Sequence, residues 1–167
     1  MRKRLSRFPS PLVTLTALVA LLSIPAAARV AQGKAVGPPE IAWKEMTFKQ
    51  KKAYMKESVL PTMKPVFQTF DAKKFRTFNC ATCHGKDGVE RKFKMPSNDI
   101  HPLPNSKEGF EAKMKSEPTW PKWAEFMSQK VEPAMGKLLD VPVFNPQKPV
   151  EGAFSCAACH KLEAVKP

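Results

Sequence analysis

The sequence predicts an all-α protein of short helices with much coil, and three observations predict it. Residues 48–67 laid over residues 120–139, an offset of 72, correspond: Tyr54 meets Phe126, Met55 meets Met127, Val59 meets Val131, Pro61 meets Pro133, and Met63 meets Met135. Internal repetition at such a period marks a repeated supersecondary unit. Within each copy the apolar residues recur at helical spacing. Phe48, Met55 and Val59 are separated by seven and four positions, as are Trp120, Met127 and Val131, so each trio shares one helical face. Finally, β-type alternation is missing over any useful length, and 17 prolines cut the sequence into short pieces.

Taken in order, residues 1–28 read as a signal peptide. Arg2, Lys3, Arg4 and Arg7 precede the apolar run Leu12–Ile24, and Ala26-Ala27-Ala28 follows it. That is a basic n-region, an h-region and a small-residue cleavage site. The run of 13 residues falls short of the roughly 20 that span a bilayer, so export to the periplasm and a soluble mature protein are expected. Residues 29–45 form an N-terminal extension. The first unit covers residues 46–104 and the second residues 105–167.

In the first unit, Thr47 is the expected N-cap, with Lys49, Lys51, Lys52 and Lys56 on the side opposite the apolar stripe, an amphipathic surface helix. In the second, Thr119 is the expected N-cap and Pro121 suits the first turn. Pro61 and Pro133 should end or kink the helices near Val59 and Val131, because proline lacks a donor and clashes with the preceding turn. Residues 85–118, rich in Pro, Asn, Ser, Lys and Gly, read as a connection.

Charge narrows the partners. The full sequence holds 28 Lys and Arg against 15 Asp and Glu; without residues 1–28 the balance is 24 to 15, a net charge of +9. Strong basicity suits nucleic acid, anionic lipid or acidic protein faces. An exported protein seldom meets nucleic acid, so an acidic partner is expected, with peripheral contact to an anionic membrane or a membrane redox complex next. About 139 mature residues with so little regular structure need a staple, whether disulfide, metal or cofactor.

The staple is legible in the cysteines. All four stand in two pentapeptides, CATCH at residues 80–84 and CAACH at residues 156–160. In an exported protein the pattern C-x-x-C-H is the attachment signal for c-type haem. Two thiols three positions apart lie on adjacent sides of one helical turn, placed to bond the two vinyl groups of one porphyrin, and the next residue offers its imidazole to the iron. Two covalently bound haem c groups are therefore expected. Cys80, Cys83 and His84 would hold the first, and Cys156, Cys159 and His160 the second. A zinc site, a redox CxxC or two disulfides are the alternatives, and none of them calls for the duplicated histidine.

Sixth ligands should come from upstream, since the seven residues KLEAVKP after His160 include no usual iron ligand. By the repeat, the candidates are the matched pairs Met63/Met135 and Met55/Met127. Met63 and Met135 lie past the prolines, 17 and 21 residues before the first cysteines, and are the expected distal ligands. Met55 and Met127 also suit an ordinary core stripe. His101, without a counterpart in the second unit, is a further alternative, although a lone loop histidine is more often solvated or bonded to backbone. Met95, eleven residues past His84, reads as loop.

A methionine-bearing helix running into CxxCH resembles the haem unit of the multihaem cytochrome subunit of photosynthetic reaction centres. The stretch from Trp43 to His160, carrying M-x7-M and F-x-CxxCH twice, is similar to small exported bacterial cytochrome c-like proteins. The resemblance implies helix-covered haems passing electrons between redox partners. The protein is accordingly expected to be an electron carrier rather than an enzyme. A small haem enzyme or sensor would need one open iron and an acid or base over it, for which only His101 or Glu90 offers itself. A non-haem zinc or disulfide module is the remaining reading.

Overall fold

Thr47 opens the first helix in the expected way. Its hydroxyl accepts from the Gln50 amide at 3.3 Å, and the Gln50 amide oxygen of the side group accepts from the Thr47 backbone N–H at 2.8 Å. This reciprocal pair satisfies two donors that a helix start otherwise leaves open. The computed structural model describes residues 39–164, so the signal-peptide reading of residues 1–28 lies outside the described residues. The protein is helical with much coil. A 3₁₀ turn, Trp43–Glu45, precedes α1 (Phe48–Tyr54), which runs on into α2 (Leu60–Phe70); α3 is Cys80–His84, α4 Lys107–Ser116, α5 Trp120–Phe126 and α6 Glu132–Leu139.

The helices do not stop at the prolines. A π turn, Met55–Val59, joins α1 to α2, and an equivalent one, Met127–Val131, joins α5 to α6. The Leu60 and Glu132 amides reach back five residues to the Met55 and Met127 carbonyls. Pro61 and Pro133 then occupy the first turn of the following helix, where the missing N–H has no helical partner to lose. The expected break is thus replaced by one inserted residue, a π-bulge.

That insertion has a geometric result. Residues eight apart on a regular helix differ by roughly 80° around the axis, at about 100° per residue. With one residue taken up in the bulge they behave like residues seven apart, roughly 20° from alignment. Met55 and Met63 pack against one core cluster, as do Met127 and Met135.

The two repeat units share that core. Val59, Met63, Phe67, Phe75 and Phe78 of the first meet Phe126 and Leu138 of the second. Phe67 stands edge-on to Phe126 with ring centroids 5.2 Å apart, and Phe70 stacks on Phe126 at 4.0 Å. Burying each such ring contributes about 1.5–3 kcal/mol, with aromatic pairing adding about 0.5–1.5. Contacts are reciprocal: α2 packs on the second π turn and α6 on the first. Tyr54 closes the exchange, its hydroxyl donating to the Leu138 carbonyl at 2.5 Å.

Three local readings are corrected. Phe48, at one end of the predicted stripe, is 52% exposed, because α1 projects beyond the core. Thr119 sits in helical backbone conformation and its hydroxyl caps nothing; a turn from Glu117 to Trp120 leads into α5 instead. Residues 85–118 are more than a connection, since they hold α4 and the short strand β1 (Leu103–Pro104). β1 pairs in parallel with β2 (Leu162–Glu163), Leu103 opposite Leu162. Among the described residues no helix is long and apolar enough to cross a membrane.

Candidate functional site

Asn79 starts the CATCH helix. Its carboxamide oxygen accepts from the Ala81 amide at 2.9 Å, and the Thr82 hydroxyl accepts from the Asn79 amide at 3.1 Å. Gly85 ends it in left-handed conformation, φ 80°; a Cβ there would lie 2.7 Å from the Ser97 hydroxyl, so glycine is required on both counts. α3 is therefore one helical turn holding Cys80, Cys83 and His84. Cys80 is exposed and Cys83 half-buried against the shared core.

CAACH winds similarly without forming a full helix. Cys156–Ala158 is a 3₁₀ turn, and the His160 amide donates to the Cys156 carbonyl at 2.9 Å. The turn is anchored on both sides. Before it, Val143 and Phe154 form a parallel bridge, with Phe144 donating to the Phe154 carbonyl at 2.9 Å. After it, β2 pairs with β1, the Leu103 amide donating to the Lys161 carbonyl at 2.8 Å.

That pairing fixes the second histidine. His160 Nδ1 lies 2.7 Å from the His101 carbonyl, an acceptor, so Nδ1 donates and Nε2 is the ring nitrogen left to face a metal. Metal-ligating histidines are generally held in this way, through a backbone carbonyl on the other ring nitrogen. His101 contributes through its backbone, while its own Nε2 lies 3.1 Å from Lys113 Nζ. The sequence draws attention only to its imidazole.

The first histidine is held by a loop. His84 packs edge-on against Phe93, centroids 5.3 Å apart, and its Nδ1 is buried without a hydrogen-bond partner. Burial lowers the imidazole's pKa; the Phe93 backbone opposes this, and Arg91 adds to it. The ring is thus neutral near pH 7, the form that ligates a metal. Arg91 ties the loop down: it pairs with Asp87 at 2.8 Å and donates to the carbonyls of His84 at 2.9 Å and Lys94 at 2.8 Å. Arg91 and Phe93 gave no signal in the sequence, because they act through backbone groups and a ring face.

Three of the four thiols have their pKa raised by their surroundings. Burial first, then the neighbouring Cys159 and Cys80, push Cys83 up to about 12. Burial, then Cys156 and Glu132, push Cys159 up to about 11, and Cys156 is raised by burial and Glu132. The second cysteines of the two motifs are thus near enough to affect each other. A redox-active CxxC needs a depressed thiol pKa, the opposite of what Cys83, Cys156 and Cys159 show. Among the described residues no three His, Cys, Asp or Glu side chains gather as a metal-holding group by themselves.

The four methionines differ in depth. Met63 is 3% exposed, and Met55, Met127 and Met135 are half-buried against the same cluster. Met95 is half-buried in the loop and Glu90 is exposed. These residues fit haem c: two thiols within one turn in each motif, a histidine next to each that is packed on Phe93 or held at Nδ1 by the His101 carbonyl, and an apolar, methionine-bearing core beside Cys83. Comparison with family models, curated proteins and solved structures finds no match for the protein.

Proposed function

We propose that this protein is an exported dihaem c-type cytochrome, a soluble periplasmic carrier of electrons between redox proteins and not itself an enzyme. One observation carries the reading: CxxCH stands twice, each time after the same π-bulged, methionine-bearing helix, with both copies packed on one core. Cys80 and Cys83 would hold one haem and Cys156 and Cys159 the other, with His84 and His160 as proximal ligands. Met63 and Met135 are the distal ligands in this account, Met55 and Met127 their alternatives. Haem c, when bound, supplies a one-electron iron couple, and methionine opposite histidine sets its potential higher than a second histidine would.

The protein's own residues set the conditions for that couple. The His101 carbonyl fixes the tautomer and orientation of His160, and Phe93 fixes the face of His84. The aromatic core packs against the methionines, an apolar surround that would favour the less charged reduced state. The basic surface suits redox partners with acidic docking faces, and also contact with an anionic membrane or a membrane redox complex; nucleic acid is not a partner in this account. Absorbance tests it. A Soret band surviving acid-acetone extraction is expected, and loss of the band to the organic phase would contradict covalent attachment. Carbon monoxide separates carrier from haem enzyme, because two irons with methionine opposite histidine should resist it when reduced.

A further inference from the structure

The two repeat units have diverged in charge more than in fold. Residues 60–100 hold eight Lys and Arg against four Asp and Glu, while residues 132–164, which begin at the equivalent position 72 residues on, hold three against four. The basicity of the protein is thus concentrated around the first motif. Within it, the loop after His84 has a particular construction. Lys92 and Phe93 both adopt left-handed backbone conformation, φ 52° and 57°, a region that costs a non-glycine residue roughly 1–2 kcal/mol. The turn is held by the Phe93 amide donating to the Gly88 carbonyl at 2.6 Å and the Lys94 amide to the Arg91 carbonyl at 3.1 Å. Strained backbone of this kind persists where surroundings over-determine it, and it clusters at functional positions.

The strained pair divides the side chains. Phe93 turns inward against the His84 ring, while Lys92 and Lys94 on either side are exposed, as is Lys86. Arg91 is engaged with Asp87 and three backbone carbonyls. By contrast, no ion pair engages Lys86, Lys92 or Lys94 among the described residues. Lys92 and Lys94 thus flank Phe93, whose ring packs on His84, and the exposed Lys86 stands two positions past His84 in the sequence. After His160 the described residues 161–164 carry one lysine, the exposed Lys161.

We propose that the loop of Lys86, Lys92 and Lys94 is the docking face for an acidic redox protein, so that electrons are exchanged with that partner at the first haem unit and not at the second. The proposal rests on the dihaem reading and goes beyond it by naming the face. Exposed surface cations steer an anionic partner by raising encounter rates, an effect that salt removes. Docking here brings the partner against Phe93 and His84. With haem held by Cys80, Cys83 and His84, the first unit would exchange one electron with the partner, which would lose or gain that same electron.

The test uses the two-haem protein and hexacyanoferrate(III), an anionic acceptor reduced by one electron as one ferrous haem becomes ferric. One variant carries Lys86→Gln, Lys92→Asn and Lys94→Gln, asparagine being tolerant of left-handed backbone. A control of equal charge change carries Lys137→Gln, Lys148→Gln and Lys161→Gln. Stopped-flow oxidation at low ionic strength should be slowed by about three- to tenfold in the first variant, with the difference fading in high salt. The control should stay within about twofold of the parent. Equal slowing in both, or greater slowing in the control, overturns the proposal. If the loop variant loses order, Lys86→Gln with Lys94→Gln alone should still slow the reaction more than any two control substitutions, and no slowing overturns the proposal as well. A parent protein without covalent haem would instead sink the dihaem reading, and the Soret band separates the two failures.

Discussion

Cys83 and Cys159 are held as neutral thiols by their burial, and this gives a test at the level of single residues. A polypeptide made without haem attachment has its folded thiol pKa values raised, Cys83 to about 12 and Cys159 to about 11 from an ordinary 9.0. The folded state then binds more protons than the unfolded state between about pH 9 and 12. Stability from this source is fully present below pH 9 and lost as pH rises through the folded values. Denaturation of that polypeptide should show stability falling above pH 9, with slow alkylation of Cys83 and Cys159 that accelerates on unfolding. The attached protein, having thioethers, should show neither behaviour. Met63, 3% exposed, makes a second test. Met63→Ala should cost about 2–5 kcal/mol as a core truncation and also abolish one near-infrared sulfur-to-iron band. Loss of stability with the band intact would move the ligand to Met55. Met135→Ala should abolish the other band in the same way. The cysteines and histidines stood out in the sequence because the proposed attachment chemistry depends on local spacing. Arg91, Phe93 and the His101 carbonyl were not, because their roles arise from a loop fold and a strand pair that bring distant backbone to the imidazoles.

The helices were placed correctly by their 72-residue repeat, yet their joints were not. Pro61 and Pro133 read as ends or kinks, because a proline inside a helix removes a donor and clashes with the preceding turn. The actual solution, one extra residue per helix, depends on packing across the repeat, α2 on the second π turn and α6 on the first, which no local pattern encodes. α4 was missed for a related reason: Ser106 caps it by accepting from the Gly109 amide at 3.1 Å, but its charged sequence, KEGFEAKMKS, gives only a weak apolar stripe. A prediction belongs to α6. Alanine normally stabilises a helix over glycine by up to about 1 kcal/mol. At Gly136, however, a Cβ would lie 2.6 Å from the Val143 Cγ2 and 3.1 Å from the Val141 carbonyl. Gly136→Ala should therefore destabilise the protein by about 1–3 kcal/mol, read by chemical denaturation. An increase in stability would show that residues 141–143 do not press on α6.

Across the whole molecule, two short repeat units share one aromatic core, and each carries its cysteine motif at the end of the same helical device. Covalent haem would explain how two such short units hold together, since each porphyrin would supply apolar surface that the polypeptide lacks. Net charge is the other whole-molecule feature. Electron exchange with an acidic partner should slow steeply as ionic strength rises, because exposed charges beyond about 8–10 Å are screened at physiological salt. A flat dependence in stopped-flow measurements would remove the basic surface from the mechanism. The central claim, two haems joined to one polypeptide, is tested most directly by the intact mass of the exported protein. The account predicts the polypeptide without residues 1–28 plus two haem groups, falling to one haem when Cys80 and Cys83 are both changed to serine. The bare polypeptide mass in the parent protein would contradict it.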